Sequence, residues 1–262
     1  MKTSINILLV FLFAACTSVP DERMTPYVDF PETRELTART LSLDSALFRY
    51  PYRVRVQDDK AVVLDLHGTE YFFHAFHYPG FHYLSSFGKR GDAPEEMLSA
   101  ENLRWNGNFL WTLDSNKSEL TRLGFASSGD SLLRLEAVSL DEELLRALDF
   151  VQYDDSTFII PDYSGDSRFC LVSRQGKLLH KIGTIPTTDE DALKNAHPAL
   201  AQAWRSFIDY NPRNGVLAAV TQLGEVLEIY NLKDSTHIVR IGPNGEPEFQ
   251  ISQGYGIPTG IM

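Results

Sequence analysis

Cysteine is almost missing from this chain: Cys16 and Cys170 are the only two among 262 residues. That excludes the disulfide frameworks that staple small secreted domains. Long hydrophobic runs are missing as well. The apolar stretch from Ile5 to Phe13 is far short of the roughly 20 residues that a membrane-spanning helix needs. Positive charge is scarce, with 24 Lys and Arg against 35 Asp and Glu and a net charge of −11, so nucleic acid is not an expected partner. There is no Gly-x-Ser-x-Gly elbow, no His-Glu-x-x-His helix and no phosphate-cradling glycine loop. Glu95-Glu96 is a poor acid/base pair, because adjacent residues of an extended loop point apart. No cofactor is expected, and binding rather than turnover is the reading these absences favour.

What is present begins with an export pattern. Lys2 supplies a short positive region, Ile5 to Phe13 an apolar one, and Phe13-Ala14-Ala15-Cys16 resembles a bacterial lipobox. Residues 1–15 read as a signal peptide and Cys16 as the acylated first residue, palmitate included. Removing those residues takes away Lys2 and no acid, which moves the charge from −11 to −12. Thr17 after the cysteine favours the outer membrane, periplasmic or surface-facing, so outer-membrane lipid is a partner through Cys16. Residues 16–32, with Pro20, Pro26 and Pro31, read as a flexible tether. Cys170, in the apolar run Arg168 to Val172, reads as a small core residue.

Residues 33–262 read as a repeat of four short antiparallel strands. The expected blades are 52–87, 102–138, 148–183 and 206–241, punctuated by pairs such as Asp58-Asp59, Pro79-Gly80 and Asn106-Gly107. Asp65, Asp114 and Asp162 end the second strand of three successive blades, at intervals of 49 and 48 residues. Thr221 holds that place in the fourth, displaced by a helical insertion over 188–204 that starts at Thr188 and is broken by Pro198. Four-stranded units recurring every 40–50 residues or so indicate an all-β chain folded as a β-propeller. A lone four-stranded sheet exposes two apolar faces, and radial stacking buries them. A β-sandwich is the alternative, but it predicts no regular period.

Phe87-Gly-Lys-Arg-Gly-Asp-Ala-Pro-Glu-Glu-Met97 resembles the Gly-Arg-x-Gly-x-Gly-Pro-x-Glu-Phe exit loop of the TolB-like six-bladed propeller lipoproteins. Gly224-Glu-Val-Leu-Glu-Ile-Tyr230 resembles the strand that family places after a helical insertion. Ala93 stands where the family has a second glycine and Met97 where it has an aromatic. The resemblance implies six blades and an envelope location; the family has no settled activity to transfer. Residues 33–262 supply four complete blades and the start of a fifth at 256–262, so an incomplete six-bladed ring is expected, with a complete smaller ring as the competitor. Thr33 to Leu43 alternates and is a candidate outermost strand.

Candidate ligand-face residues are Asp65, Asp114 and Asp162, together with Lys89, Arg90, Asp92 and Glu95 of the exit loop, which a propeller places at the same end. The competing reading is structural: aspartate starts each loop because its carboxylate accepts hydrogen bonds from the amides that follow. His77 and His82 pair across the Pro79-Gly80 hairpin and are weak metal candidates that lack a third ligand. Trp105, Trp111 and Trp204 read as packing aromatics. The function expected is that of a lipid-anchored envelope protein binding an unidentified protein or small molecule. The alternatives are a metal-dependent propeller hydrolase, lactonase- or glycosidase-like, and a truncated fragment without independent function.

Overall fold

Turn chemistry sets the strand pairing. Asp58, at φ +50°, and Gly107, at φ +53°, occupy the left-handed region that tight hairpins need. They join β1 (Pro51–Gln57) to β2 (Lys60–Asp65) and β5 (Ala100–Asn106) to β6 (Phe109–Asp114). The computed structural model describes residues 32–41, 43 and 48–249. The signal segment, Cys16, nearly all of the tether and residues 256–262 lie outside that range.

The described residues make four antiparallel meanders in a propeller ring. Blade one is β1–β2–β3 (Tyr71–His77)–β4 (His82–Lys89), and blade two is β5–β6–β7 (Glu119–Phe125)–β8 (Leu132–Ser139). Blade three comprises β9 (Val151–Gln152), β10 (Thr157–Pro161), β11 (Phe169–Ser173) and β12 (Leu178–Ile182). After two helices, blade four comprises β13 (Ser206–Asn211), β14 (Val216–Thr221), β15 (Val226–Asn231) and β16 (Thr236–Ile241).

Alternation along each strand feeds two interfaces. Phe158 and Ile160 pack with Trp111 and Leu113 of blade two, while Ile159 between them packs with Ile208, Leu217 and Ala219 of blade four. Val62, Leu64, Phe73 and Phe87 meet Leu103, Leu110 and Leu123 between blades one and two. Each buried aromatic or aliphatic side chain contributes about 1.5–3 kcal/mol. On the outer side of blade four, Phe207, Val220 and Leu227 form an exposed cross-strand row. Cys170 is buried among the blade two–three contacts, and burial pushes its thiol up to about 12. Iodoacetamide applied to the native protein should therefore leave Cys170 unmodified by peptide mapping, and modify it in urea.

Several sequence expectations are corrected. The inner strand of blade three is Val151–Gln152, shorter than the span from Leu148 to Tyr153, because the Asp149 carboxylate accepts the Phe150 amide, which therefore has no ladder partner. The cap of the insertion is Asp189, whose side chain accepts the Ala192 amide, rather than Thr188, which bonds Glu246. The helical insertion does break beside Pro198: α1 (Glu190–Asn195) stops at Ala196, and Pro198 lies in the first turn of α2 (His197–Ala203), where proline's missing N–H costs nothing. Residues 33–41 and 43 form no strand, and Leu43 packs on Ala61, Val63 and Phe76 instead. The hairpin turn of blade one spans Tyr78 to Phe81, four residues rather than two, and still leaves His77 opposite His82.

Candidate functional site

The second strand of each blade ends in a clasp. Asp114 accepts the amides of Leu98 (2.7 Å), Ser99 (3.2 Å), Asn116 and Lys117 (both 3.0 Å). Asp65 accepts those of Arg49 (2.9 Å) and Tyr50 (2.6 Å). Asp162 accepts Ser164 (2.9 Å) and Ser167 (3.2 Å) and pairs with Lys181 at 3.2 Å. In blade four the Thr221 hydroxyl accepts the Val226 amide at 3.2 Å. All three carboxylates are buried and hold backbone, each within its own blade. Asp114→Ala, which strands several amides, should cost about 1–3 kcal/mol in urea unfolding and leave ligand affinity unchanged.

The exit-loop residues also brace the fold. Lys89 pairs with Glu96 at 2.6 Å, and Arg90 donates to the Gly68 carbonyl at 2.9 Å while lying 4.2 Å over the Phe72 ring. Glu95 meets Arg134 at 3.4 Å, and Asp92 is exposed. His77 lies 3.4 Å from Asp59, and His82 is exposed. His74 shares a hydrogen bond with Ser86 at 2.8 Å, and burial lowers its pKa against the pull of Asp65. Among the described residues no three His, Cys, Asp or Glu side chains gather as a metal set.

A concavity lies at the opposite end of the blades, by the turns between first and second strands. It is a cleft of about 410 Å³, lined from the inner strands of all four blades by Arg55, Arg104, Trp105, Gln152, Asp209 and Tyr210, among others. That volume suits a small organic molecule. Beneath it runs a polar network. Arg104 donates to Asp149 (3.1 Å), to Asp209 (2.9 Å) and to the Ile208 carbonyl. Asp149 also accepts the Asn102 side chain and the amides of Phe150 (2.8 Å) and Ile208 (3.2 Å). Arg53 donates to the Asn102 oxygen at 2.5 Å and lies 5.5 Å over the Phe207 ring, which ties blade one to blades two and four.

Other groups at the cleft have no such answer. Arg55 donates to the Leu103 carbonyl at 3.3 Å and forms no ion pair with any described residue. Burial lowers its pKa from the ordinary guanidinium value, and the positive charges of Arg104 and Arg53 lower it further. Arg104 Nε, Trp105 Nε1 and Gln152 Oε1 are buried without a hydrogen-bond partner. The Tyr153 and Tyr210 rings, 5.4 Å apart, border the opening.

None of these cleft residues stands out in the chain by motif. The available signal is parity: Arg53 and Arg55, Arg104 and Asp209 are charges set at alternate positions of first strands that otherwise read as sheet.

The model of the TolB-like 6-blade propeller-like family matches residues 29–262. The chain belongs to that family. The described residues of this TolB-like chain form four blades, against six in the family's description. No curated protein is similar enough in sequence to stand as a relative. Among solved structures, a member of the DUF4221 family from Bacteroides vulgatus is 12% identical with a TM-score of 0.50, over 83% of this chain and 65% of that one. A Bacteroides fragilis protein provisionally designated exported is 10% identical with a TM-score of 0.47, over 77% and 74% of the two chains. Another from the same species, provisionally named a 6-phosphogluconolactonase, is 13% identical with a TM-score of 0.45, over 76% and 59%. The TolB-like chain thus spans less than two thirds of the first and last of these. Such likeness is one of fold.

Proposed function

We propose that the protein is an exported, lipid-anchored binding protein of the cell envelope that holds a small polar organic molecule at the propeller axis and releases it unchanged. One observation carries the binding reading. The cleft draws side chains from all four inner strands and leaves Arg55 without an ion pair and Trp105 Nε1 and Gln152 Oε1 without hydrogen-bond partners at its wall. Buried polar groups cost about 1–3 kcal/mol each when unpaired, so a ligand that pairs them gains affinity. The propeller is suited to this role because its inner strands are fixed by the inter-blade cores, and the cleft is preformed. The anchor rests on Lys2, the apolar run Ile5 to Phe13 and the small residues before Cys16.

The test uses the full-length chain against a set of small organic acids, sugars and amides, read by tryptophan fluorescence and mass spectrometry. Saturable quenching, altered by Trp105→Phe, with every ligand recovered intact, is the expected result. A ligand hydrolysed on incubation would replace binding with the hydrolase alternative. For the anchor, labelled palmitate should enter the wild type and not Cys16→Ser.

A further inference from the structure

Two guanidiniums, Arg55 and Arg104, and three carboxylates, Asp154, Asp155 and Asp209, line the cleft, and the way they pair bears on the ligand. Three guanidiniums lie on the inner strands. Arg104 is answered by Asp149 and Asp209. Arg53 is answered by the Asn102 oxygen and by the faces of Tyr52 and Phe207, each 5.5 Å away. Neither Arg53 nor Arg55 has a described carboxylate within ion-pair distance, and of the two Arg55 lines the cleft: its Nε reaches the Leu103 carbonyl, while Asp209 and Asp149 attract it from farther away.

The nearby acids are otherwise engaged. Asp154 accepts the Ser156 amide and the hydroxyls of Ser156 and Thr157, all at 2.8 Å, which folds its own turn. Asp209 holds Arg104 and the Tyr210 amide. Asp155 is exposed at the rim. A guanidinium partly withdrawn from water, with Arg104 and Arg53 near it as well as Asp209 and Asp149, still gains from a directly hydrogen-bonded carboxylate more than a solvated one does.

We infer that the cleft takes a cyclic hydroxylated carboxylate, whose carboxylate docks on the planar fork of Arg55 while a ring hydroxyl reaches Gln152 Oε1. This rests on the reading of the cleft as a ligand site. The fork matches a planar carboxylate with two parallel hydrogen bonds. Gln152 Oε1, buried without a donor, calls for a ligand O–H, and Trp105 Nε1 for a ligand oxygen. The rings of Trp105, Tyr153 and Tyr210 supply aromatic lining against which a sugar or phenol ring packs.

Two carboxylates and their uncharged counterparts separate the possibilities: glucuronate against glucose, and 4-hydroxybenzoate against 4-hydroxybenzyl alcohol, with inorganic phosphate as a bare anion. Each is titrated into the full-length wild type, Arg55→Gln and Gln152→Leu, with Trp105→Phe assigning the fluorescence signal to the cleft. At least one carboxylate should bind ten-fold or more tighter than its neutral counterpart. Arg55→Gln should erase that difference without lowering the melting temperature, and the affinity should fall as salt rises. Which acid binds tells a sugar ring from an aromatic one. Should the neutral compounds bind equally well, or Arg55→Gln leave carboxylate affinity intact, the anion inference fails while the cleft remains a binding site. Phosphate alone matching the acids would overturn the cyclic carboxylate. If no compound alters the fluorescence, this inference and the cleft reading fall together.

Discussion

Glu228→Ala should lower the unfolding free energy by about 3–5 kcal/mol, roughly a fifth or more of what a domain ordinarily has. Glu228 is fully buried, and so nearly is Arg168, whose Nη2 lies 2.7 Å from it. Arg168 also donates to the Trp204 carbonyl at 3.1 Å and to the Ser206 hydroxyl, so one guanidinium links blade three to the first residues of blade four. Removing the carboxylate strands that charge in the interior, along with the Tyr230 hydroxyl that donates to it at 2.7 Å. A charge without its partner is costly, whereas an apolar pair of similar volume is not. The double variant Arg168→Met/Glu228→Leu should accordingly be more stable than Glu228→Ala. Urea denaturation of both measures this; equal losses would show that the stranded Arg168 charge is not what makes Glu228→Ala costly.

The same pair carries a pH dependence. Burial alone would raise the Glu228 pKa, but the hydrogen bond from His237 and the charge and hydrogen bond of Arg168 overcome it and hold the carboxyl below its ordinary value. A depressed folded pKa adds stability above the unfolded value, and that stability is lost as pH falls through the folded one. The gap between wild type and Glu228→Ala should therefore narrow on acidification below the ordinary glutamate range.

The second large effect belongs to the axis. Asp149→Ala should cost about 3–5 kcal/mol, because it removes the acceptor shared by Arg104, the Asn102 amide and the Phe150 and Ile208 N–H groups. Arg104 would be left with Asp209, whose side chain is 72% exposed and offers far weaker compensation. Asp149→Asn, which keeps the shape and loses the charge, should cost less, about 1–3 kcal/mol. Because Arg104 lines the cleft, both variants should also weaken binding of whichever of the two acids the cleft takes, in the same rank order. Stability lost with affinity retained would mean that the network and the cleft are independent.

The contrast between Asp114 and Asp149 shows what a one-dimensional reading can reach. Asp114 serves amides 2 and 3 residues ahead and 15 and 16 behind, all within one repeat, so its recurrence with the turn is visible in the chain. Its structural role follows from local loop chemistry. Asp149 and Arg104 act across blades: Arg104 bonds Asp209, 105 residues away. No local periodicity encodes which inner-strand charges meet at the axis, whereas the aspartates at the opposite end recur visibly with their turns. The family motif from Phe87 to Met97 was legible because its loop folds on itself, with the Met97 amide donating to the Lys89 carbonyl at 2.8 Å. The Asp189 cap was misplaced by one residue because Thr188 and Asp189 are both capping residues, and Glu246, far along the chain, takes Thr188.

A crystal structure of the full-length protein soaked with 4-hydroxybenzoate or glucuronate addresses the central claim at the axis directly. The account predicts density in the cleft between the four inner strands, with the carboxylate against Arg55 and the ring beside Trp105. Density at the Asp65, Asp114 and Asp162 loops instead, or a cleft left empty by both acids, would contradict it.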